Sequence, residues 1–279
     1  MSLPAILIEP VIRAALAEDL GRAGDVTAAA CVPAGTRWTA VFAARQAGTI
    51  AGLDCARLAM TTLDPEARFT ARVHDGETVA PGTVLAEVEA DARAILSAER
   101  TALNLLGRLS GIATLTRAHV DAVAGTGARI ADTRKTTPGL RALEKHAVAM
   151  GGGLNHRFGL DDAILIKDNH IAVCSGVGEA IRRARAHAGH LMKIEVEVDG
   201  LHQLDEALAE RPDVVMLDNF SLADLREAVA RAGGQAVLEA SGGVNLQTVR
   251  AIAETGVNVI SVGALTHSAP SLDVGLDAG

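Results

Sequence analysis

Apolar and polar residues follow two different rhythms along this chain, and the change between them divides it. Up to about residue 92 the pattern is mixed. Residues 9–20 read as an amphipathic helix, with Leu16 and Leu20 at helical spacing. Strand-like runs follow at 38–44 and 69–73. Residues 75–85 read as a hairpin, two β-branched runs joined by Pro81 and Gly82. The hairpin looks like those of lipoyl- or biotin-carrying domains, but no lysine stands at its turn, and that reading is discarded. From 92 to 124 the spacing is helical throughout. Gly107 and Gly111 are expected to bend or break that helix, which makes it the expected boundary between domains.

Beyond it the pattern becomes regular. Short apolar runs at 128–132, 163–167, 193–198, 213–218, 236–240 and 258–262 predict strands. Helical patterns separate them at 139–150, 178–188, 201–210, 222–232 and 246–254. Alternating strands and helices imply parallel strands with right-handed crossovers. Either a doubly wound sheet or a small, incomplete (β/α) barrel satisfies that rule, and the polar residues decide between them. Asp132, Lys167, Glu197, Asp218 and Ser241 stand at strand ends, and Gly263 follows the last strand. Barrel enzymes build their sites from the C-terminal ends of several strands. A dinucleotide fold concentrates its signal in a glycine-rich turn after the first strand, whereas here Gly125 and Gly127 precede that strand. The expectation is an α/β protein: a barrel preceded by a smaller domain.

Composition narrows the class. Apolar residues make up 49% of the 279 residues and aromatic ones 2%, so the core must be built from Ala, Val, Leu and Ile. A formal charge of −8 argues against a broad nucleic-acid-binding surface. Cys31, Cys55 and Cys174 are too scattered for a zinc site or a disulfide framework. No uncharged apolar run reaches membrane-spanning length, and the N-terminal segment makes a poor signal peptide. A cytoplasmic protein is the expectation.

Against that acidic background, residues 129–170 carry seven Arg and Lys and five Asp and Glu, a local balance of +2. Three clusters stand at strand or loop ends: Arg134 with Lys135, His156 with Arg157, and Lys167. One such cation is ordinary surface; three on successive loops point to a small anion, because Arg recognises carboxylates bidentately and Lys supplies a compact charge. Arg141, Glu144 and Lys145 on the following helix are expected to be solvated surface.

Glu195, Glu197 and Asp199 share one face of a strand, and Asp218 ends the next. Glu197 and Asp218 can hold a magnesium ion directly or through water. Glu195, deeper in the strand, is expected to neutralise Lys167 or Lys193. Ser241, Gly242 and Gly243, expected to open a helix, and Gly263 after the final strand suit a phosphate. Gly151–Gly153 is read as the stop of the preceding helix. Arg100, on a helix face shared with Leu96 and Leu103, reads as an ordinary helix arginine or as one covered by another subunit.

These residues carry a family resemblance. Asn104-Leu105-Leu106 with Arg108 to Thr114, Asp132 to Arg141, Gly151 to Leu160, Leu165 to His170, Glu195 to Asp199, Leu217-Asp218-Asn219, Ser241-Gly242-Gly243 and Val262 to Ser268 closely resemble quinolinate phosphoribosyltransferases. The resemblance implies an α/β sandwich over 1–111, an incomplete seven-stranded barrel over 112–267, and a tail at 268–279 returning to the first domain. It implies a homodimer with shared sites, Mg²⁺, and conversion of quinolinate and phosphoribosyl pyrophosphate to nicotinate mononucleotide, pyrophosphate and CO2 in NAD synthesis. Carried onto matching positions, Arg134, Lys135, His156, Arg157 and Lys167 resemble the pocket for the two carboxylates. Arg100 resembles an arginine supplied by the partner subunit. Glu197 and Asp218 resemble the acids near ribose and metal, and Ser241, Gly242, Gly243 and Gly263 the phosphate loops. Gly107, His146, Ala149 and Met150 depart from the family pattern without removing any of these residues. The rival readings are a Schiff-base aldolase built on Lys167 and a related phosphoribosyltransferase with another base.

Overall fold

The structure, a computed structural model, describes residues 3–279 as two compact units. The chain begins with helices α1 (Ala5–Leu20) and α2 (Val26–Cys31), strands β1 (Arg37–Ala44) and β2 (Gly48–Thr49), and helix α3 (Leu53–Leu63). Strands β3 (Arg68–Ala71), β4 (Thr78–Val79) and β5 (Val84–Asp91) lead into the long helix α4 (Ala92–Ala122). Then come β6 (Arg129–Ala131), α5 (Arg141–Met150), β7 (Ile164–Ile166), α6 (Asp168–Cys174), α7 (Val177–His187), β8 (Ile194–Val198) and α8 (Leu201–Ala209). The last elements are β9 (Val214–Asp218), α9 (Leu222–Ala232), β10 (Val237–Ser241), α10 (Val249–Ala253), β11 (Val259–Ser261), α11 (Ala264–His267) and β12 (Val274–Ala278). No described helix is long and apolar enough to cross a membrane.

The first unit joins residues 3–117 to Thr136–Gly152 and Thr266–Gly279. Its main sheet has the order β12-β1-β5-β3, antiparallel throughout. Phe42 of β1 is fully buried and meets Phe69 of β3 with ring centroids 5.8 Å apart, so two of the few aromatics share one core. Ile8, Ile12 and Leu16, one turn apart on α1, supply its buried stripe. The expected hairpin at 75–85 does not form. β4 pairs with β2, whereas β5 pairs with β1 and β3, because the turn at Pro81–Gly82 carries the chain from one sheet to the other.

Helix α4 is continuous, against the expected break at Gly107 and Gly111. Those glycines serve a close approach instead. A Cβ on Gly111 would lie 2.0 Å from the Pro270 carbonyl oxygen, and one on Gly107 would lie 2.8 Å from that of Leu272. The returning segment is also tied down by Leu272 N–H, which donates to Gly107 O at 2.9 Å.

Residues 136–152, within the expected 112–267 domain, pack with this unit, and a buried charge explains why. Glu144 is wholly buried, accepts from Arg108 Nη2 at 2.9 Å, and accepts the Thr137 N–H and hydroxyl at 2.9 and 2.8 Å. Glu144 and Lys145 are therefore not solvated surface. His146 also has a partner, since its Nε2 lies 2.9 Å from Asp75 Oδ2. Asp75 in turn accepts the Gly52 and Leu53 N–H groups that begin α3. Burial raises the Asp75 pKa, but His146 and the two N–H donors outweigh it and hold the carboxyl below its ordinary value.

The second unit, Ala118–Lys135 with Gly153–Leu265, holds the barrel. All six expected strands form, in one parallel sheet ordered β6-β11-β10-β9-β8-β7. β6 and β7 are consecutive strands at opposite ends of that order, so the barrel stays open between them. The seventh strand that the resemblance implies shrinks to a single parallel bridge between Leu154 and Ala131. Gly151–Gly153 just before it has no side chains to pack as a strand.

Two measurements test these packing assignments. Alanine at an open helix glycine stabilises by about 1 kcal/mol, whereas Gly111→Ala should destabilise by about 1–3 kcal/mol in denaturant melts, as overpacking does. The Asp75 carboxylate stabilises the fold fully above its unfolded pKa, near 3.9, and that contribution is lost as pH falls through the lower folded value. Wild-type unfolding free energy should therefore fall more steeply than that of Asp75→Asn as pH drops from about 5 towards 2.

Candidate active site

Period-2 alternation decides what the barrel strands present on each side. Ile166, Val196, Val198, Val215, Leu217, Leu238, Ala240 and Ile260 form one buried, apolar set. The intervening positions are mostly polar and in register: Glu197 lies opposite Met216, Met216 opposite Glu239, and Asp218 opposite Ser241. With Lys167 and the loops carrying Arg134, Lys135, His156 and Arg157, they line one cavity of about 690 Å³. Ten of the twelve expected site residues line it.

Its cations are held differently. Asp132, wholly buried after β6, accepts Asn155 Nδ2 at 2.7 Å and the His156 N–H at 2.8 Å, which fixes the loop entering Arg157. Arg157 donates from Nη1 to the Ala163 carbonyl at 3.1 Å. Burial, then the charge of Arg134, lowers the Arg157 pKa. The Nε atoms of Arg134 and Arg157 are buried and have no acceptor among the described residues. Buried donors in that condition are costly unless a ligand satisfies them. The Lys135 N–H donates to Thr133 Oγ1 at 3.0 Å. The Lys167 ammonium pairs with Glu197 and is 44% exposed; a half-exposed, ion-paired lysine lacks the desolvation that activates a Schiff-base nucleophile.

The acids divide into two layers. Glu197 and Asp218 also border a neighbouring cavity of about 390 Å³, together with Asp168 and Asp199. Partly accessible carboxylate oxygens on adjacent strands fit a hard cation such as Mg²⁺ that keeps most of its water. Beneath them, Glu195 does not neutralise a lysine as expected. Lys193 pairs with Asp213 at 2.5 Å and Lys167 with Glu197, while Glu195 Oε2 lies 3.0 Å from His156 Nε2. Glu239 Oε1 is 3.7 Å from the same nitrogen. Burial and then Glu195 push the Glu239 carboxyl up to about 7. The sequence reading missed Glu239. Its signal was a lone acid inside an apolar strand, at the parity of the strand-end Ser241.

The glycine loop departs from expectation in one respect. Ser241, Gly242 and Gly243 do not open a helix, since α10 starts only at Val249 and the Asn245 side chain accepts the Gln247 and Thr248 N–H groups in between. What the loop offers is backbone. Gly242 has φ +94°, and a Cβ there would lie 2.1 Å from Asn219 Oδ1. The Asn219 N–H donates to Ser241 O at 2.9 Å, which knits the ends of β9 and β10. Gly263 follows β11 outside the cavity lining. Arg100 lies on α4 in the other unit with its side chain 65% exposed.

Comparison with known proteins covers nearly the whole chain. Residues 25–110 match the family model "Quinolinate phosphoribosyl transferase, N-terminal domain" and residues 112–277 the C-terminal domain model. A nicotinate-nucleotide pyrophosphorylase [carboxylating] of Mycobacterium leprae is 51% identical over 271 residues, 95% of each chain. A probable enzyme of the same name in Bacillus subtilis is 45% identical, covering 93% of this chain and 89% of its own. The solved nicotinate-nucleotide pyrophosphorylase of Francisella tularensis superposes with a TM-score of 0.95 at 38% identity, covering 100% of this chain and 98% of that one. Both domains, in order and at these identities, leave one assignment: the chain belongs to the quinolinate phosphoribosyltransferase family.

Proposed function

We propose that this enzyme transfers phosphoribose from phosphoribosyl pyrophosphate to the nitrogen of quinolinate, with decarboxylation, giving nicotinate mononucleotide, pyrophosphate and CO2 for NAD synthesis. The observation that carries this reading is the pair of buried guanidinium Nε–H groups without acceptors, in a cavity that also holds Lys135 and Lys167. Four cations in one cavity suit a rigid aromatic dianion and hold it at two carboxylates.

Holding quinolinate by both carboxylates fixes its nitrogen in line with the anomeric carbon, an orientation effect worth several kcal/mol. As the bond to pyrophosphate breaks, Glu197 and Asp218 stabilise positive charge on the ribose. The backbone of Ser241–Gly243 receives the 5′-phosphate. Once the N-glycosidic bond forms, the adjacent carboxylate leaves as CO2 and its bonding electron pair stays on the ring carbon, where the positive charge of the neighbouring pyridinium nitrogen stabilises it. That carbon then gains a proton. Glu197 and Asp218 would hold Mg²⁺, directly or through water, and the ion would supply positive charge for the pyrophosphate leaving group. We assign the working form to a homodimer in which Arg100 completes the partner's site, and the reaction to the cytoplasm.

Purified protein supplied with quinolinate, phosphoribosyl pyrophosphate and Mg²⁺ should release CO2 and nicotinate mononucleotide in equal amounts. Nucleotide formation without CO2 would mean another base. Arg134→Ala and Arg157→Ala should each cost roughly 10–100-fold in kcat/KM for quinolinate, the size of a lost charge-assisted hydrogen bond. Arg100→Ala and Lys135→Ala should each be nearly inactive. Refolded as an equal mixture, they should recover about a quarter of wild-type activity, because half the dimers are mixed and each carries one intact site. No recovery from verified mixed dimers would refute the shared site.

A further inference from the structure

Both ring nitrogens of His156 are already engaged within the protein. The Arg157 N–H donates to His156 Nδ1 at 2.7 Å. A backbone amide can only donate, so Nδ1 is the accepting nitrogen and the ring hydrogen sits on Nε2. That Nε2 lies 3.0 Å from Glu195 Oε2 and 3.7 Å from Glu239 Oε1, and both glutamates are buried. A ring engaged this way has no N–H left for a substrate carboxylate. It connects a buried acid pair to the backbone of Arg157, whose side chain is pinned at Ala163 O and whose Nε lacks an acceptor.

We propose that His156 is a positioning residue rather than a substrate ligand: Glu195, backed by Glu239, orients the imidazole, and the imidazole fixes Arg157 so that its guanidinium meets a quinolinate carboxylate. This rests on the function proposed above and departs from the expectation that His156 is one of the cations touching substrate. Glu195 beneath it also supplies negative charge that favours the charged form of Arg157.

The test separates a strut from a ligand. Asparagine carries an acceptor where His156 Nδ1 stands; leucine carries none. His156→Asn should keep its KM for quinolinate within roughly threefold of wild type, while His156→Leu should raise it at least roughly tenfold, with KM for phosphoribosyl pyrophosphate little changed. Glu195→Leu leaves an acceptor for the Arg157 N–H without its support, as His156→Asn does, and should resemble His156→Asn; added to His156→Leu as a double variant it should cost nothing further, because one chain of contacts is cut only once. Equal damage from Asn and Leu, or additive losses in the double variant, would overturn the proposal.

Nitrogen-15 NMR of the wild-type ring needs no variant to fold. Nδ1 should show accepting character and Nε2 a bound hydrogen, before and after saturation with quinolinate. Protonation of both nitrogens on ligand binding would overturn the strut. The ring nitrogen and the two carboxylates lie within 4.8 Å of one another, close enough for a metal ion, so stoichiometric metal that is lost in His156→Asn would overturn it too. If the wild type releases CO2 from quinolinate while these outcomes fail, only the role of His156 falls. If it does not, the proposed function itself is wrong.

Discussion

Crowding like charges into a small cavity is the constraint on which the barrel unit depends. Arg134, Lys135, Arg157 and Lys167 line one space, and Arg134 already depresses its neighbour Arg157. Left alone, such a cluster would repel itself and draw in water. The barrel answers with acids set at two depths. Glu197 takes the Lys167 ammonium at the mouth. Glu195 and Glu239 lie beneath His156, and Asp132 grips the loop that brings it there. The period-2 rhythm of the strands makes this possible, because the apolar set packs on one side while polar residues line the other.

That arrangement explains how much of the molecule was legible in the sequence. Six strands and the cations at their ends could be read because alternation and chemistry-bearing strand ends are local signals. The roles of Glu195 and Glu144 could not. Each depends on which charged side chain lies across a fold that local pattern does not specify. Glu195 faces His156, far along the chain, instead of the lysines closer in sequence. Glu144 looked like one member of a solvated helix until Arg108 and Thr137 surrounded it.

The glycines teach the same lesson. Gly107 and Gly111 were legible as a weakness in α4, but a helix tolerates glycine when something else needs the space. Here the carbonyls of Pro270 and Leu272 occupy it. Gly242 differs, since its left-handed backbone and the nearby Asn219 both exclude a side chain. Position alone, without knowledge of what passes over the residue, does not distinguish these cases.

The closing strand has a consequence for how the polypeptide matures. β12 occupies the edge of the first unit's sheet, pairing Ala278 with Ala40 and Val274 with Ala44, and Arg45 reaches Asp277 at 2.5 Å. More than two hundred residues, including the whole barrel, separate those partners. During synthesis the outer side of β1 therefore stays bare until residues 274–278 have been made, an open edge of the kind that invites pairing with another nascent chain. The barrel can assemble while the earlier unit still waits for β12.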